Sequence, residues 1–106
     1  MPSMGARALQ APRPVEAAKG QTAHEPLYRV IVHNDDLTPM EFVINILATI
    51  FLMPEINAAT IAYSAHLAGQ AYVQTLPRLE ARRRINKAHF AARLKAYPLE
   101  FSMEPE

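Results

Sequence analysis

The apolar residues of this chain fall into six blocks, each with its own period. The run Leu27-Tyr28-Arg29-Val30-Ile31-Val32-His33 is rich in β-branched and aromatic residues and follows a proline, which predicts a strand. Along it Tyr28, Val30 and Val32 share one face, and Arg29, Ile31 and His33 the other. Phe42, Val43, Ile46, Leu47, Ile50 and Phe51 then recur at helical spacing and predict a helix with a broad apolar stripe. Thr38 with Glu41 three residues later reads as a capping box, with Pro39 at the first helical position, so the helix is expected to start at Thr38. Met53-Pro54 breaks it, because proline disfavours the helical conformation in the residue before it.

A second helix is predicted from near Pro54 to about Ala68, with Gly69 as its stop. It is rich in alanine (Ala58, Ala59, Ala62, Ala65, Ala68), and its expected anchors are Ile56, Ile61, Tyr63 and Leu67. A strand follows over 71–76, and Pro77 opens a third helix running to about Lys95. The expected core face of that helix is Leu79, Ile85, Ala88, His89, Ala92 and Leu94. Tyr97-Pro98 ends it, and clean alternation over 99–103 predicts the last strand. The order β-α-α-β-α-β implies an α+β domain: a three-stranded antiparallel sheet with three helices packed on one face.

Composition narrows the picture. Residues 1–26 hold four of the nine prolines and two of the three glycines and show no sustained period. They are expected to form a disordered N-terminal arm ahead of a single domain at 27–106. With no cysteine, disulfides, thiol catalysis and Cys-based zinc sites are excluded. No apolar run approaches a membrane span. The first twenty residues lack the apolar block of a secretory signal, and Glu16 argues against a transit peptide, so a cytoplasmic protein is expected.

The chemistry concentrates at the first strand-to-helix corner, where Asn34, Asp35 and Asp36 precede Thr38. Turn formation is the more frequent use of such residues, and an outward-facing set that holds a cation is the other reading. Asp35 and Asp36 are adjacent and cannot flank one scissile bond as a catalytic pair. His24, His33, His66 and His89 lack metal-ligand spacing, and Ser64 and His66 point apart on a helix. A binding protein is expected rather than an enzyme, with no cofactor and no metal. Seven of the eleven basic residues lie between Arg78 and Lys95. Arg82, Arg83 and Arg84 diverge by 100° steps around a helix, so a solvated face or a dock for an acidic partner is preferred over nucleic-acid binding.

The run Tyr28-Arg29-Val30-Ile31-Val32-His33-Asn34-Asp35-Asp36-Leu37-Thr38-Pro39-Met40-Glu41-Phe42-Val43 closely resembles the signature of ClpS, the adaptor of the bacterial Clp protease. Ala65-His66-Leu67-Ala68-Gly69-Gln70-Ala71 and Pro98-Leu99 are similar to that family as well. The resemblance implies a non-enzymatic adaptor that binds the free N-terminus of proteins starting with Leu, Phe, Tyr or Trp. It also implies delivery of these N-degron substrates to the Clp AAA+ ATPase hexamer, by a monomer with no membrane contact. The amino group calls for an anion and acceptors, supplied by Asp35 with Asn34 and His66, beside an apolar hole. By the family's pattern the lining maps to Asp36, Thr38, Met40, Val43, Ala62, Ala65, His66 and Leu99.

Departures from the pattern are informative. Ala62 and Ala65 stand where the family commonly has larger apolar residues, which implies a wider or shallower pocket. Met53-Pro54-Glu55 is an unusual second-helix start. Leu79, Arg82 and Arg83 replace much of a surface that the family uses to dock the ATPase. The alternative function is a diverged ClpS-like interaction domain whose basic third helix binds an acidic protein or nucleic acid.

Overall fold

A computed structural model describes residues 25–106, and the arm expected at 1–26 lies outside them except for its last two residues. The elements are β1 (Leu27–His33), α1 (Met40–Thr49), α2 (Glu55–Ala68), β2 (Gln70–Pro77), α3 (Arg78–Leu94) and β3 (Glu100–Pro105). The three strands form one antiparallel sheet in the order β2-β1-β3. This is the α+β architecture that the alternation of periods predicts.

The central position of β1 follows from its composition. Val30, Ile31 and Val32 are consecutive and all buried, which suits the middle strand of a sheet, Val30 and Val32 in the core under the helices and Ile31 flanked by a strand on either side. Val30 and Val32 join Val73 and Phe101 beneath the helices in the main core, with Ile46, Leu47 and Phe51 from α1 and the turn after it. The opposite face of the sheet is polar and tied by cross-strand pairs. Arg29 meets Glu104 at 3.3 Å and lies over the Tyr72 ring, and His33 Nε2 lies 2.7 Å from Ser102 Oγ.

One feature has no counterpart in the expected strands. The β1–β2 register shifts between Val30 and Ile31, so one extra residue bulges from β2. The shift resets the alternation, which is why Val73 and Leu76, three residues apart, both pack on the core. Tyr72 and Thr75 are also three apart, and their hydroxyls meet at 2.6 Å.

The helical faces differ from expectation in a consistent way. On α2 the buried residues are Ala58, Ala62 and Ala65, while the expected anchors Ile56, Tyr63 and Leu67 are exposed and Ile61 is only partly buried. On α3 the buried residues are Ala81, Ile85, Ala88 and Ala92, whereas Leu79 and Leu94 are exposed and His89 is half-buried. Both sets follow the helical i, i+4, i+7 row, but apart from Ile85 the row is one of small side chains. Small side chains let a helix backbone approach the layer below closely, and the larger ones then have no room inside. Leu99 precedes the last strand instead of opening it, since β3 spans Glu100–Pro105.

Arg84 also behaves unlike a solvated basic residue. It donates to Glu80 Oε2 at 2.6 Å, to Gln74 Oε1 at 3.0 Å and to the Phe51 carbonyl at 3.4 Å, joining α3 to β2 and to the chain after α1. At the other end of α3, Ala96 adopts φ 61°. There Ala96 N–H donates to the Arg93 carbonyl at 3.0 Å and Tyr97 N–H to the Ala92 carbonyl at 2.9 Å. That paired pattern closes helices at a left-handed residue, a place usually held by glycine.

Candidate functional site

The corner between β1 and α1 is folded by Asp35. Its Oδ1 accepts from the backbone N–H of Leu37 at 2.8 Å and of Thr38 at 2.7 Å, and its Oδ2 accepts from the Thr38 hydroxyl at 2.8 Å. The turn role of this residue is therefore real. The capping box is not: α1 starts at Met40 with Pro39 as its N-cap, and no side chain caps it. The Thr38 hydroxyl instead donates to a charged carboxylate, a stronger hydrogen bond than the one its oxygen would accept from a helix-end N–H.

Partial burial would raise the Asp35 pKa. It is outweighed by the donors of Thr38 and Leu37 and by the charge of Arg93, which together hold the carboxyl below the usual aspartate range. Three of its roughly four acceptor sites are occupied, which leaves one direction on Oδ2 for a further donor.

The end of α2 is brought to this corner by the sheet. His33 pairs with Gln70 in the β1–β2 register, and Asn34 N–H donates to the Gly69 carbonyl at 2.9 Å. Gly69 makes the sharp exit from α2 at φ 95°, a conformation glycine adopts without steric cost. His66, one turn before it, consequently stands beside Asn34 and Asp35 although it is about thirty residues away in sequence. Its ring lies 6.5 Å from that of Tyr63, centroid to centroid, and both side chains are exposed.

The third wall comes from the segment after α3. Arg93 Nη1 donates to the carbonyls of Tyr97 at 2.8 Å and Leu99 at 2.9 Å, while Nη2 is paired with Glu100. The Tyr97 ring packs edge-on against Phe42 of α1 at 4.9 Å. Leu99 is thereby held buried against α1 and α2.

These three pieces enclose a cavity of about 220 Å³. Its apolar lining is Val32, Met40, Val43, Ala62, Ala65 and Leu99, and its polar side is His33, Asn34, Asp35, Asp36, Thr38 and His66. All ten residues singled out in the sequence line it. Val32 and His33 were not singled out. Their signal was adjacency, since they carry β1 directly into Asn34 and Val32 lies on the core-facing side of the strand. Arg93 was read only as part of a basic run, and nothing in the sequence tells that it braces Leu99.

For scale, an apolar cavity of about 150 Å³ accommodates benzene, so this one has room for a single large side chain with a polar group at its mouth. Ala62 and Ala65 are 4% and 3% exposed and contribute only methyl groups to its wall. Tyr63 and Ile61 do not turn in to fill the space they leave.

Among the described residues no three His, Asp or Glu side chains are grouped to hold a metal ion. None of the described helices is long and apolar enough to cross a membrane.

A family model described as the ATP-dependent Clp protease adaptor protein ClpS matches residues 23–102. A ClpS adapter protein of Desulforapulum autotrophicum is 39% identical over 83 residues, covering 78% of this chain and 80% of the relative. The adapter protein ClpS 2 of Mesorhizobium japonicum is 38% identical over 94 residues, covering 89% of this chain and 93% of the relative. The structure of Agrobacterium tumefaciens ClpS2 bound to L-phenylalaninamide superposes with a TM-score of 0.75 at 35% identity, covering 78% of this chain and all of that one. With its Asn34-Asp35-Asp36 corner, its pinned α2 terminus and these matches along most of its length, the chain belongs to the ClpS family of ATP-dependent Clp protease adaptors.

Proposed function

We infer that the cavity receives the first residue of a protein whose N-terminus is free and whose first side chain is bulky and apolar. The observation that carries this reading is the single cavity in which an ionised carboxylate, two exposed hydrogen-bonding side chains and six apolar residues converge. L-Phenylalaninamide, bound by the Agrobacterium relative, has that chemistry: an α-ammonium beside an aromatic ring, with the carboxyl blocked as in a peptide.

In this assignment Asp35 Oδ2, Asn34 and His66 take the donors of the α-ammonium. Met40, Val43, Ala62, Ala65 and Leu99 surround the side chain, while Asp36 and Thr38 close the polar edge. Full burial of a large apolar side chain contributes about 1.5–3 kcal/mol. A hydrogen bond to a charged group contributes about 1.5–3 kcal/mol more. Together these terms give usable selectivity without any one of them dominating.

The protein itself performs no chemistry in this reading. It is a cytoplasmic monomer that hands substrates with N-terminal Leu, Phe, Tyr or Trp to a Clp AAA+ ATPase hexamer. Arg84 favours this reading over a basic-helix binding domain, because much of the basic run serves the fold.

Fluorescence anisotropy with peptides that differ only in acetylation of the first residue tests the assignment. Acetylation removes the charge and two donors, so affinity should fall at least about tenfold, or 1.4 kcal/mol. Equal affinity for the free and acetylated peptides would overturn it.

A further inference from the structure

α2 presents to solvent an aromatic side chain that neither the core nor the cavity uses. Its inward row is Ala58, Ala62 and Ala65, and Tyr63 lies about 100° round the helix from Ala62. Tyr63 is 56% exposed. The other tyrosines have structural partners. Tyr28 and Tyr97 pack against the core, and Tyr72 holds Arg29 over its ring and meets the Thr75 hydroxyl. Tyr63 instead shares its side of α2 with His66, ring to ring at 6.5 Å with a tilt of 34°, and with Leu67, which is 69% exposed.

A single exposed apolar residue needs no explanation, but its position gives this one a use. His66 lines the polar side of the cavity, where it meets the α-ammonium of the first substrate residue. Helical side chains lean towards the N-terminus, so its imidazole lies over the turn that carries Tyr63. The Cα of a second substrate residue is about 3.8 Å from that of the first, which puts its side chain just outside the mouth. The large apolar side chains exposed there, among the described residues, are Tyr63 and Leu67, around His66, and Leu37, between Asp36 and Thr38. Leu37 is one side chain on its loop, whereas Tyr63 and Leu67, four residues apart, make a continuous ledge.

We propose that Tyr63 is a specificity-determining residue for the second position of the substrate, its ring and Leu67 forming a ledge that selects an aromatic side chain there. The inference rests on the reading of the cavity as an N-terminus site and adds a second contact to it. Aromatic rings in offset or edge contact gain beyond the area they bury, so the face of Tyr63 favours an aromatic partner over a small one.

Anisotropy titrations of the full chain with two free-N-terminus peptides test this. Both begin with Phe, and they differ only in having Ala or Trp as the second residue. The Phe-Trp peptide should bind at least about threefold more tightly than the Phe-Ala peptide. In Tyr63→Ala that ratio should fall to near one, and in Tyr63→Phe it should stay, since the ring and not the hydroxyl makes the contact. The ratio is the readout, so a general weakening from a loosened His66 cancels. Amide shifts that differ between the two complexes should centre on Tyr63 and Leu67. A wild-type ratio of one, a ratio kept in Tyr63→Ala, or a ratio abolished by Leu37→Ser and not by Tyr63→Ala would each overturn the proposal. Acetylating the Phe-Ala peptide tests the first residue by itself. Loss of the acetylation effect would remove both readings, whereas a ratio of one with that effect intact would remove only the ledge.

Discussion

The guanidinium of Arg93 donates to the carbonyl of Leu99 at 2.9 Å, so the last turn of α3 braces one wall of the cavity. The same side chain bonds the Tyr97 carbonyl and Glu100, and its charge helps keep Asp35 ionised. Arg93→Met keeps the aliphatic stem and removes these bonds. Because the head group is about half exposed, the loss of stability should be about 1 kcal/mol, read from urea unfolding. Peptide affinity should fall with it, as Leu99 loosens. Wild-type affinity in Arg93→Met would show that the loop stands without its brace.

Thr38 tests the corner. Thr38→Val retains the volume and removes the hydroxyl donor to Asp35 Oδ2. The Asp35 pKa is depressed in the folded protein, so its contribution to stability is present above the unfolded value of about 3.9 and is lost as pH falls through the folded value. The variant should accordingly be less stable than wild type by about 0.5–1.5 kcal/mol at pH 7, and the gap should close in strong acid. A gap that is the same at both pH values would mean the hydroxyl acts independently of the carboxylate charge.

His89 sets a second pH dependence. Its Nε2 accepts from the Phe101 backbone N–H at 2.9 Å, which requires that nitrogen to be unprotonated. Burial lowers its pKa, Glu100 raises it and Arg93 lowers it, and the net direction is down. Glu100 Oε1 lies 3.5 Å away, yet no ion pair forms while Nε2 is the acceptor. The stabilising contribution is present above the unfolded value of about 6.5 and is lost as pH falls through the folded one. Wild type should lose urea resistance between pH 7 and pH 5, and His89→Leu should lose less. An equal loss in both proteins would place the titration elsewhere.

Ala62 tests the pocket volume. Its methyl group forms part of the cavity wall, and neither Ile61 nor Tyr63 fills the space beyond it. Ala62→Met should reduce affinity for Trp-starting peptides more than for Leu-starting ones, because overfilling penalises the larger guest. Each methylene in such a pocket is worth about 1–3 kcal/mol, so the Trp-to-Leu ratio should fall by about tenfold or more. An unchanged ratio would mean that the cavity wall can adjust to either guest.

Ala96 offers a stability gain. It holds φ 61° in the closing turn of α3, where a Cβ costs about 1–2 kcal/mol. Glycine removes that strain but gives the unfolded chain more freedom, worth about 0.4–1 kcal/mol. Ala96→Gly should therefore be more stable by up to about 1 kcal/mol, measured by thermal or urea unfolding. A destabilised variant would show that the methyl group makes a compensating contact.

Local chemistry made much of this protein legible in one dimension. The β-branched run of β1 could be little else, and Pro39, Pro54 and Pro77 each stand directly before a helix. Gly69 is the exit from α2 for a reason internal to glycine. The Asn34-Asp35-Asp36 corner was recognisable because its residues are contiguous, and the resemblance it carries led to His66 and Leu99. Other features depend on partners distant in sequence. Whether alanines or leucines of α2 and α3 face inward is decided by how closely each helix approaches the layer below, and a short alanine-rich period does not encode that distance. Thr38 had two possible partners, a helix-end N–H to accept from or the Asp35 carboxylate to donate to, and the three-dimensional turn chose the carboxylate. Arg84 and Arg93 sit in one basic run, yet tertiary contacts turn the first into a strut between α3 and β2 and the second into the brace of Leu99. A cation's role depends on which acceptors lie within about 3 Å of it, and only the packed chain brings those acceptors there.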